Sequence, residues 1–290
     1  LAVTCFEGDT DAPKDEESAS IWASLGIARE RIGFLPKEKN WWGPAGKTGP
    51  CGPDTEMFYW VGEGAPKGNP ATHDKEWMEI WNDVFMQYNK QEDGSFVPLK
   101  QQNVDTGMGL ERVASVLQGV KSVYDTDAFQ PIMKAIQALT KSNDTASIRI
   151  IADHLKAATF IIASGVLPSN VDQGYVLRRI IRRAVRSGKK LGIEGSFCTT
   201  IAQVIIAQYK GFYEHIGLKE QNILEALTRE EQQFSKTLQE GMKHFQRVIE
   251  KNVKNISGID AFHLYDTYGF PIEMTREMAK EQGCTIDEVG

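Results

Sequence analysis

An α+β fold is the class that this sequence predicts, on two observations. Residues 1 to about 120 alternate short β-branched and aromatic runs with turns, whereas from about 121 to 290 the apolar residues fall into long one-faced helical spacings. At 290 residues the chain is long enough for two ordinary domains with a core each, and the boundary falls at that change, giving 1–120 and 121–290.

Taken in order, Leu1 to Phe6 is a strand and Glu16 to Leu25 a helix. Lys39 to Pro53 is rich in Gly and Pro and is expected to be a long loop, a kind that often carries function. Glu56 to Val61 and Trp77 to Asn89 hold strand residues, Gln91 to Gly94 a turn, and Ser95 to Leu99 the returning strand, so antiparallel pairing is expected. Val104 and Asp105 end a further strand, and Gly109 to Leu117 is the helix after it. In the second part, Ala146 to Gly165 sets Ile148, Ile151, Leu155, Ala158 and Ile162 on one face and stops at Gly165 and Pro168. A helix over about Asp172 to Leu191 has Asp172 as its expected N-cap, and one over about Glu220 to Asn252 places Leu227, Phe234, Leu238 and Phe245 near a heptad seam. The chain opens on Leu1 in mid-strand, which suggests a piece of a longer protein.

Composition narrows the function. A net charge of -6 argues against a protein that coats nucleic acid indiscriminately, so any RNA contact must come from a local patch. No apolar run approaches the roughly 18 to 20 residues of a membrane span. Cys5, Cys51, Cys198 and Cys284 lack pairing rhythm and no signal peptide precedes them, which fits free thiols in a cytoplasmic protein. The five histidines never reach metal-ligand spacing, so no zinc is expected. Cys51, inside GPCGP, is better explained as a small residue in a tight loop than as a nucleophile, since no histidine lies nearby in sequence.

The run VDTGMGLER, Val104 to Arg112, sets an acid, two glycines and an arginine where a strand feeds a helix. Gly107 and Gly109 let a backbone approach a ligand closely, Arg112 offers the fork of donors that suits phosphate, and Asp105 suits an amine. A strand-to-helix turn with a surface arginine accounts for the same residues. In the helix from Asp172, Leu177, Ile180, Ile181, Ala184 and Val185 form an apolar stripe. Arg178, Arg179, Arg182, Arg183, Arg186, Lys189 and Lys190 crowd the opposite arc of about 140°. Their repulsion costs tenths of a kcal/mol per pair, so something should offset it. Phosphate is the natural partner, with a solvated face and interdomain ion pairing as the alternatives. Asn170, just before this helix, is a side chain able to donate and accept at a base edge, although an Asn after Pro-Ser also suits a turn. Asp266, in LYDTYGFP, would have to accept from a base amino group, because phosphate would repel it.

In order, NWW with GKTGPCGPDTEMFY, EIWNDVFMQYN, VDTGMGLER, IADHLKAATF, GVLPSN, GYVLRRIIRRAVR and LYDTYGFP resemble the alanyl-tRNA synthetases over nearly the whole chain. VDTGMGLER resembles motif 3 of class II synthetases. The resemblance implies a class II synthetase-type antiparallel β-sheet with flanking helices over 1–120, followed by an all-helical tRNA acceptor-stem recognition domain over 121–290. It implies an alanine–tRNA ligase that uses ATP and Mg²⁺. Arg112 would then contact the terminal phosphates of ATP, with Gly109 beside it, and Asp105 would hold the amino group of L-alanine. Trp42 and Val84 would wall a pocket for one methyl group, and Gly107 would admit the substrate. Glu79 would bind Mg²⁺ and Asn82 would make a polar pocket contact, although either suits a strand residue. Asn170 and Asp266 match positions that read a G·U pair in the tRNA(Ala) acceptor stem, with Arg178, Arg179, Arg182, Arg183 and Arg186 on its phosphates. Motif 1, motif 2 with its α-phosphate arginine, the editing domain's His and Cys ligands and the distal C-terminal region are not found, so activity of this chain alone is in question and proofreading is not expected. A non-catalytic RNA-binding module and a helical interaction protein are the competing classes.

Overall fold

A computed structural model describes residues 1–251 and 254–287, in two compact units, Leu1–Ala128 and Phe129–Gly290. The first unit is built on a six-stranded sheet. Its strands are β1 (Ala2–Phe6), β2 (Ile32–Leu35), β3 (Trp41–Trp42), β4 (Gly49–Trp60), β5 (Trp77–Lys90) and β6 (Phe96–Met108), with helices α1 (Glu16–Ser24) and α2 (Leu110–Leu117). The order is β2-β1-β4-β5-β6, with β3 on β4, and every pairing is antiparallel except β1 with β2.

Burial explains the order. All five residues of β1 are buried, as the apolar run AVTCF demands, so β1 lies inside the sheet. β6 is almost wholly exposed and forms the edge. Ala2, Phe58 and Trp77 make a small core, with the Trp60 ring edge-on to Trp77 at 5.1 Å.

The segment expected to be one long loop, Lys39 to Pro53, instead contains β3 and the start of β4. Trp41 is an aromatic hub there, stacked on Tyr88 at 5.6 Å and edge-on to Phe6 and Phe96. Lys37 lies over the Trp41 and Phe96 rings while bound to Asp9 at 3.0 Å and to Asp11. The β4–β5 register shifts between Cys51 and Asp54, and Gly52 sits in that shift. A Cβ on Gly52 would stand 1.8 Å from the Phe85 carbonyl oxygen, so glycine is a requirement of the bulge. The two expected strands Ser95 to Leu99 and Val104 to Asp105 are one continuous β6.

The second unit is helical: α3 (Gln130–Gln137), α4 (Thr145–Ala163), α5 (Asp172–Lys190), α6 (Cys198–Tyr209), α7 (Glu214–Leu218), α8 (Glu220–Glu250), α9 (Gly258–Asp266) and α10 (Ile272–Glu281), with a short parallel pair β7 (Asn255–Ile256) and β8 (Thr285–Ile286). In α4 the expected face is buried, and Asp144 caps it by accepting from Ser147 N at 3.2 Å. Asp172 is not the N-cap of α5; Val171 is, and Asp172 takes a left-handed φ of +49°, which Asp tolerates better than most residues. Long α8 buries Leu227, Phe234, Leu238 and Phe245, as the seam predicts, and the Asn252 end of that expected helix lies outside the described residues.

Gly52→Ala should destabilise the first unit by about 3 kcal/mol, because backbone rather than a movable side chain meets the new methyl. Urea unfolding of the variant against the parent measures this, and an unchanged midpoint would show that the bulge has room to relax.

Candidate functional site

Strand register gathers the first group of residues. Directly opposed residues of an antiparallel pair share a face, as do alternate residues along a strand. Glu56 opposes Asn82, which opposes Gly107; Asp54 opposes Val84, which opposes Asp105. Six residues from β4, β5 and β6 therefore stand on one face. Glu56, Asn82, Asp54 and Asp105 are polar, which a purely structural sheet face in a core would not favour. Asp105 and Gly107 are exposed, whereas Val84 is buried. A Cβ on Gly107 would meet nothing within 4 Å, so no packing inside the chain requires glycine there.

Arg112, in the first turn of α2, reaches back to β5 and binds Glu79 through its carboxylate at 2.9 Å and its carbonyl at 3.1 Å. Gly109 makes room for the arginine stem, with 3.2 Å from its absent Cβ position to Arg112 Cδ. Glu79 is paired with Arg112, and among the described residues no group of three or more His, Cys, Asp or Glu is placed to hold a metal ion. Trp42 lies half-exposed on β3 opposite Gly52, so β4 separates it from Val84 on β5.

Sequence reasoning named Asn82 but missed the polar cluster that it joins on this face, with Thr4, Asn40, Asp54 and Glu56. Asn40 Nδ2 donates to Asp54 Oδ1 at 2.9 Å and to Thr4 Oγ1 at 2.9 Å. Asn82 Nδ2 donates to Glu56 Oε1 at 3.2 Å and to Asp54 Oδ2 at 3.4 Å, so one amide bridges two carboxyls. Burial pushes Asp54 up to about 6 against the two asparagine hydrogen bonds, with Glu79 adding to the rise. Burial, then the neighbouring Asp54 and Glu79 charges, push Glu56 up to about 8. The Asp-Thr-Glu alternation in GPDTE, which sets both acids on one strand face, is the signal that would have found it.

In the second unit Asn170, Arg178, Arg182, Asp266 and Gly269 line one cavity of about 370 Å³. Arg178 donates to Asn170 Oδ1. Arginine can only donate, so this contact fixes the amide and leaves Nδ2 as the outward donor. Asp266, the last residue of α9, is exposed and supplies an acceptor. The five arginines of α5 are not a bare cationic face. Arg178 and Arg182 meet Glu230 at 3.6 and 2.6 Å, Arg179 meets Glu273 at 2.7 Å, Arg183 meets Glu277 at 2.8 Å, and Arg186 meets Glu281 at 2.6 Å. Lys190 meets Asp144 at 3.3 Å. Ion pairing within this unit offsets the repulsion for which the sequence suggested phosphate.

The family described as tRNA synthetases class II (A) matches residues 1–290. The chain belongs to this family. Among its relatives, an "Alanine--tRNA ligase" of Treponema pallidum is 48% identical over 304 residues, covering 100% of this chain and 50% of that protein. One of Treponema denticola is 53% identical over 302 residues, covering 99% and 50%. One of Thermotoga maritima is 48% identical over 286 residues, covering 94% and 33%. The chain therefore spans about half the length, or less, of these curated relatives. Among the described residues no helix of this class II synthetase chain is long and apolar enough to cross a membrane.

The raised carboxyls set a pH dependence. Folded Asp54 and Glu56 hold protons that the unfolded chain releases near 3.8 and 4.5, so their contribution to stability is fully present below those values and is lost as pH rises through about 6 for Asp54 and about 8 for Glu56. The first unit should melt lower at about pH 9 than at about pH 5. Glu56→Gln should flatten that difference, and an equal slope in both proteins would remove the pair from the account.

Proposed function

We propose that the chain is part of an alanine–tRNA ligase. In this reading residues 1–128 bind L-alanine and ATP, and residues 129–290 bind the acceptor stem of tRNA(Ala). The observation that carries it is the shared polar face of β4, β5 and β6 with Arg112 beside it. Asp105 supplies a carboxylate for the α-amino group, Asn82 a polar contact, and Gly107 an open backbone against which the substrate lies. Val84 bounds the space left for the side chain, and Trp42, on β3 beyond β4, is left out of that wall. Arg112, with Gly109, takes the terminal phosphates of ATP in place of Glu79, since its guanidinium is half-exposed and phosphate suits the same fork of donors.

The alanine carboxylate oxygen attacks the α-phosphorus, an acyl–phosphate bond forms, and the bond to pyrophosphate breaks. A terminal ribose hydroxyl of the tRNA then attacks the acyl carbon and AMP leaves. Such steps need positioning and charge stabilisation more than a covalent group on the protein. Mg²⁺ would travel with the nucleotide, whose phosphates supply ligands that the described residues lack. In the second unit, Asn170 Nδ2 and the Asp266 carboxylate form a donor and an acceptor, which suit the minor-groove edge of a G·U pair with its guanine amino group. Charging of tRNA assigns the protein to the cytoplasm.

Alanine-dependent ATP–pyrophosphate exchange tests the ligase reading, with this chain and with a version extended at its N-terminus. Arg112→Ala should reduce exchange roughly 100-fold, and exchange indifferent to alanine or to Arg112 would refute the reading. Gly107→Ala should leave the melting temperature unchanged while raising the KM for alanine roughly tenfold. An unchanged KM would mean that the substrate does not lie against β6. For RNA, Asn170→Ala and Asp266→Ala should reduce discrimination between G·U and G·C stems more than overall affinity. Uniform weakening would leave the non-catalytic RNA-binding reading in its place.

A further inference from the structure

Helix α5 touches both halves of the cavity in the second unit. At its N-terminal end Arg178 holds the Asn170 amide. One turn on, the buried Arg182 binds Glu230 of α8 at 2.6 Å through Nε and donates through Nη1 to the carbonyl of Gly269, in the turn just after Asp266. Gly269 has a φ of +70°, and a Cβ there would stand 2.3 Å from Arg182 Nη1, so the turn and the guanidinium are fitted to each other. Thr237 of α8 donates to Tyr268 O at 2.7 Å, and the buried Phe270 packs edge-on to Phe234 at 5.6 Å. The turn leads directly into α10, whose Glu273, Glu277 and Glu281 repeat every fourth residue and meet Arg179, Arg183 and Arg186 of α5. Arg183 grips Glu277 with two prongs, Nε to Oε2 at 2.9 Å and Nη2 to Oε1 at 2.8 Å.

We propose that this Arg–Glu ladder is a positioning device for base-pair discrimination: by fixing α10 along α5 it sets Asp266 opposite Asn170, and its arginines do not grip the RNA backbone. The inference rests on the reading that Asn170 and Asp266 recognise the acceptor stem. Positioning is favoured over phosphate binding because three carboxylates of α10 run in step with three arginines of α5, a match between two helices that phosphate binding does not require. A two-pronged pair fixes direction as well as distance, which a diffuse cationic face does not. Exposed pairs contribute little to stability, so a regular ladder of them is better explained by alignment than by folding. Arg179, Arg183 and Arg186 act through α10 and are positioning residues.

The test exchanges one rung. Arg183 and Glu277 are both partly exposed, and the further contact of Arg183 Nη1 with His154 Nε2 at 3.0 Å, lost in Arg183→Glu and in the double exchange, is controlled for by His154→Ala in the parent. Acceptor-stem duplexes carrying G·U or G·C are titrated against the parent chain, Arg183→Glu, Glu277→Arg and the double exchange, at low and moderate salt, alongside amide exchange at Gly269 and Phe270, whose N–H groups bond to Tyr265 O and Leu264 O. Each single variant should lower the G·U over G·C preference by about tenfold and speed exchange at both amides. The double exchange should restore preference and protection together, with the salt dependence of the parent. A double variant that stays weak on both duplexes, with a shallower salt dependence, overturns the proposal in favour of a phosphate contact. Singles that leave preference and exchange unchanged overturn it as well. If the parent shows no preference between duplexes, the acceptor-stem reading fails and discrimination by the ladder with it. The amide data then separately report whether the ladder orders the turn.

Discussion

Pairing between β5 and β6 is the constraint on which the candidate catalytic face depends. A slip of one residue would turn Asp105 and Gly107 away from Asn82 and Val84, because side chains alternate across the sheet. The register of β4 on β5 has the same consequence for Asp54 and Glu56. It is held at one end by the bulge at Gly52, where Phe85 O leaves no space for a side chain, and on the inner side by the bonds from Thr4, Asn40 and Asn82 to the two acids. The buried acids are the costly part of this arrangement. Their raised affinity for protons is the sign that the sheet tolerates them in partly neutral form.

The second unit meets the opposite problem. It concentrates cations on α5, and the remedy is a complementary set of carboxylates on α8 and α10. The most buried of these pairs, Arg182 with Glu230, also bonds the Gly269 carbonyl and lies against the Phe234 ring, with 5.2 Å from guanidinium to ring centre. Removing Glu230 would leave the Arg182 charge uncompensated beneath the turn that follows Asp266, whereas Glu230 keeps Arg178 if Arg182 is removed. The outward groups include Asn170 Nδ2 and the Asp266 carboxylate, beside the exposed Gln233 and Tyr265, so what this cavity offers a ligand is a hydrogen-bond pattern more than a net charge.

The elements legible in the sequence were those with a single apolar face. α4 and α8 follow their spacing to within a few residues, because propensity, period and burial agree. α6, CTTIAQVIIAQY, buries Cys198, Ile201, Ala202, Ile205 and Ile206 at helical spacing, a period obscured because Val204, Ala207 and Tyr209 add apolar residues off that face. β3 and the start of β4 were hidden because glycines and prolines there serve a bulge and an outer pairing, uses that local reading cannot tell from a loop. The strand-to-helix setting of VDTGMGLER was legible, and so was Arg112 at the helix start. Its partner Glu79, thirty-three residues earlier, was not, since only strand pairing brings them together. The arginines of α5 were visible as a face, but their carboxylates lie some 48 to 95 positions away and have no local signature.

The thiols bear on the kind of chemistry this chain can support. Cys51 is buried and its thiol is raised, first by burial, so it does not stand ready as a thiolate. Cys5 is pushed up to about 11 by burial, and Cys198 is raised as well, first by burial and then by Glu231. A covalent nucleophile needs a base within hydrogen-bond reach, and none of these three has a histidine among its contacts. The exposed groups at this face are instead a carboxylate, Asp105 of β6, and the half-exposed guanidinium of Arg112 in α2, paired with Glu79. Groups of that kind act by holding charge and orienting substrates. A reaction between two bound substrates, with no covalent protein intermediate, is the chemistry that such a face can serve.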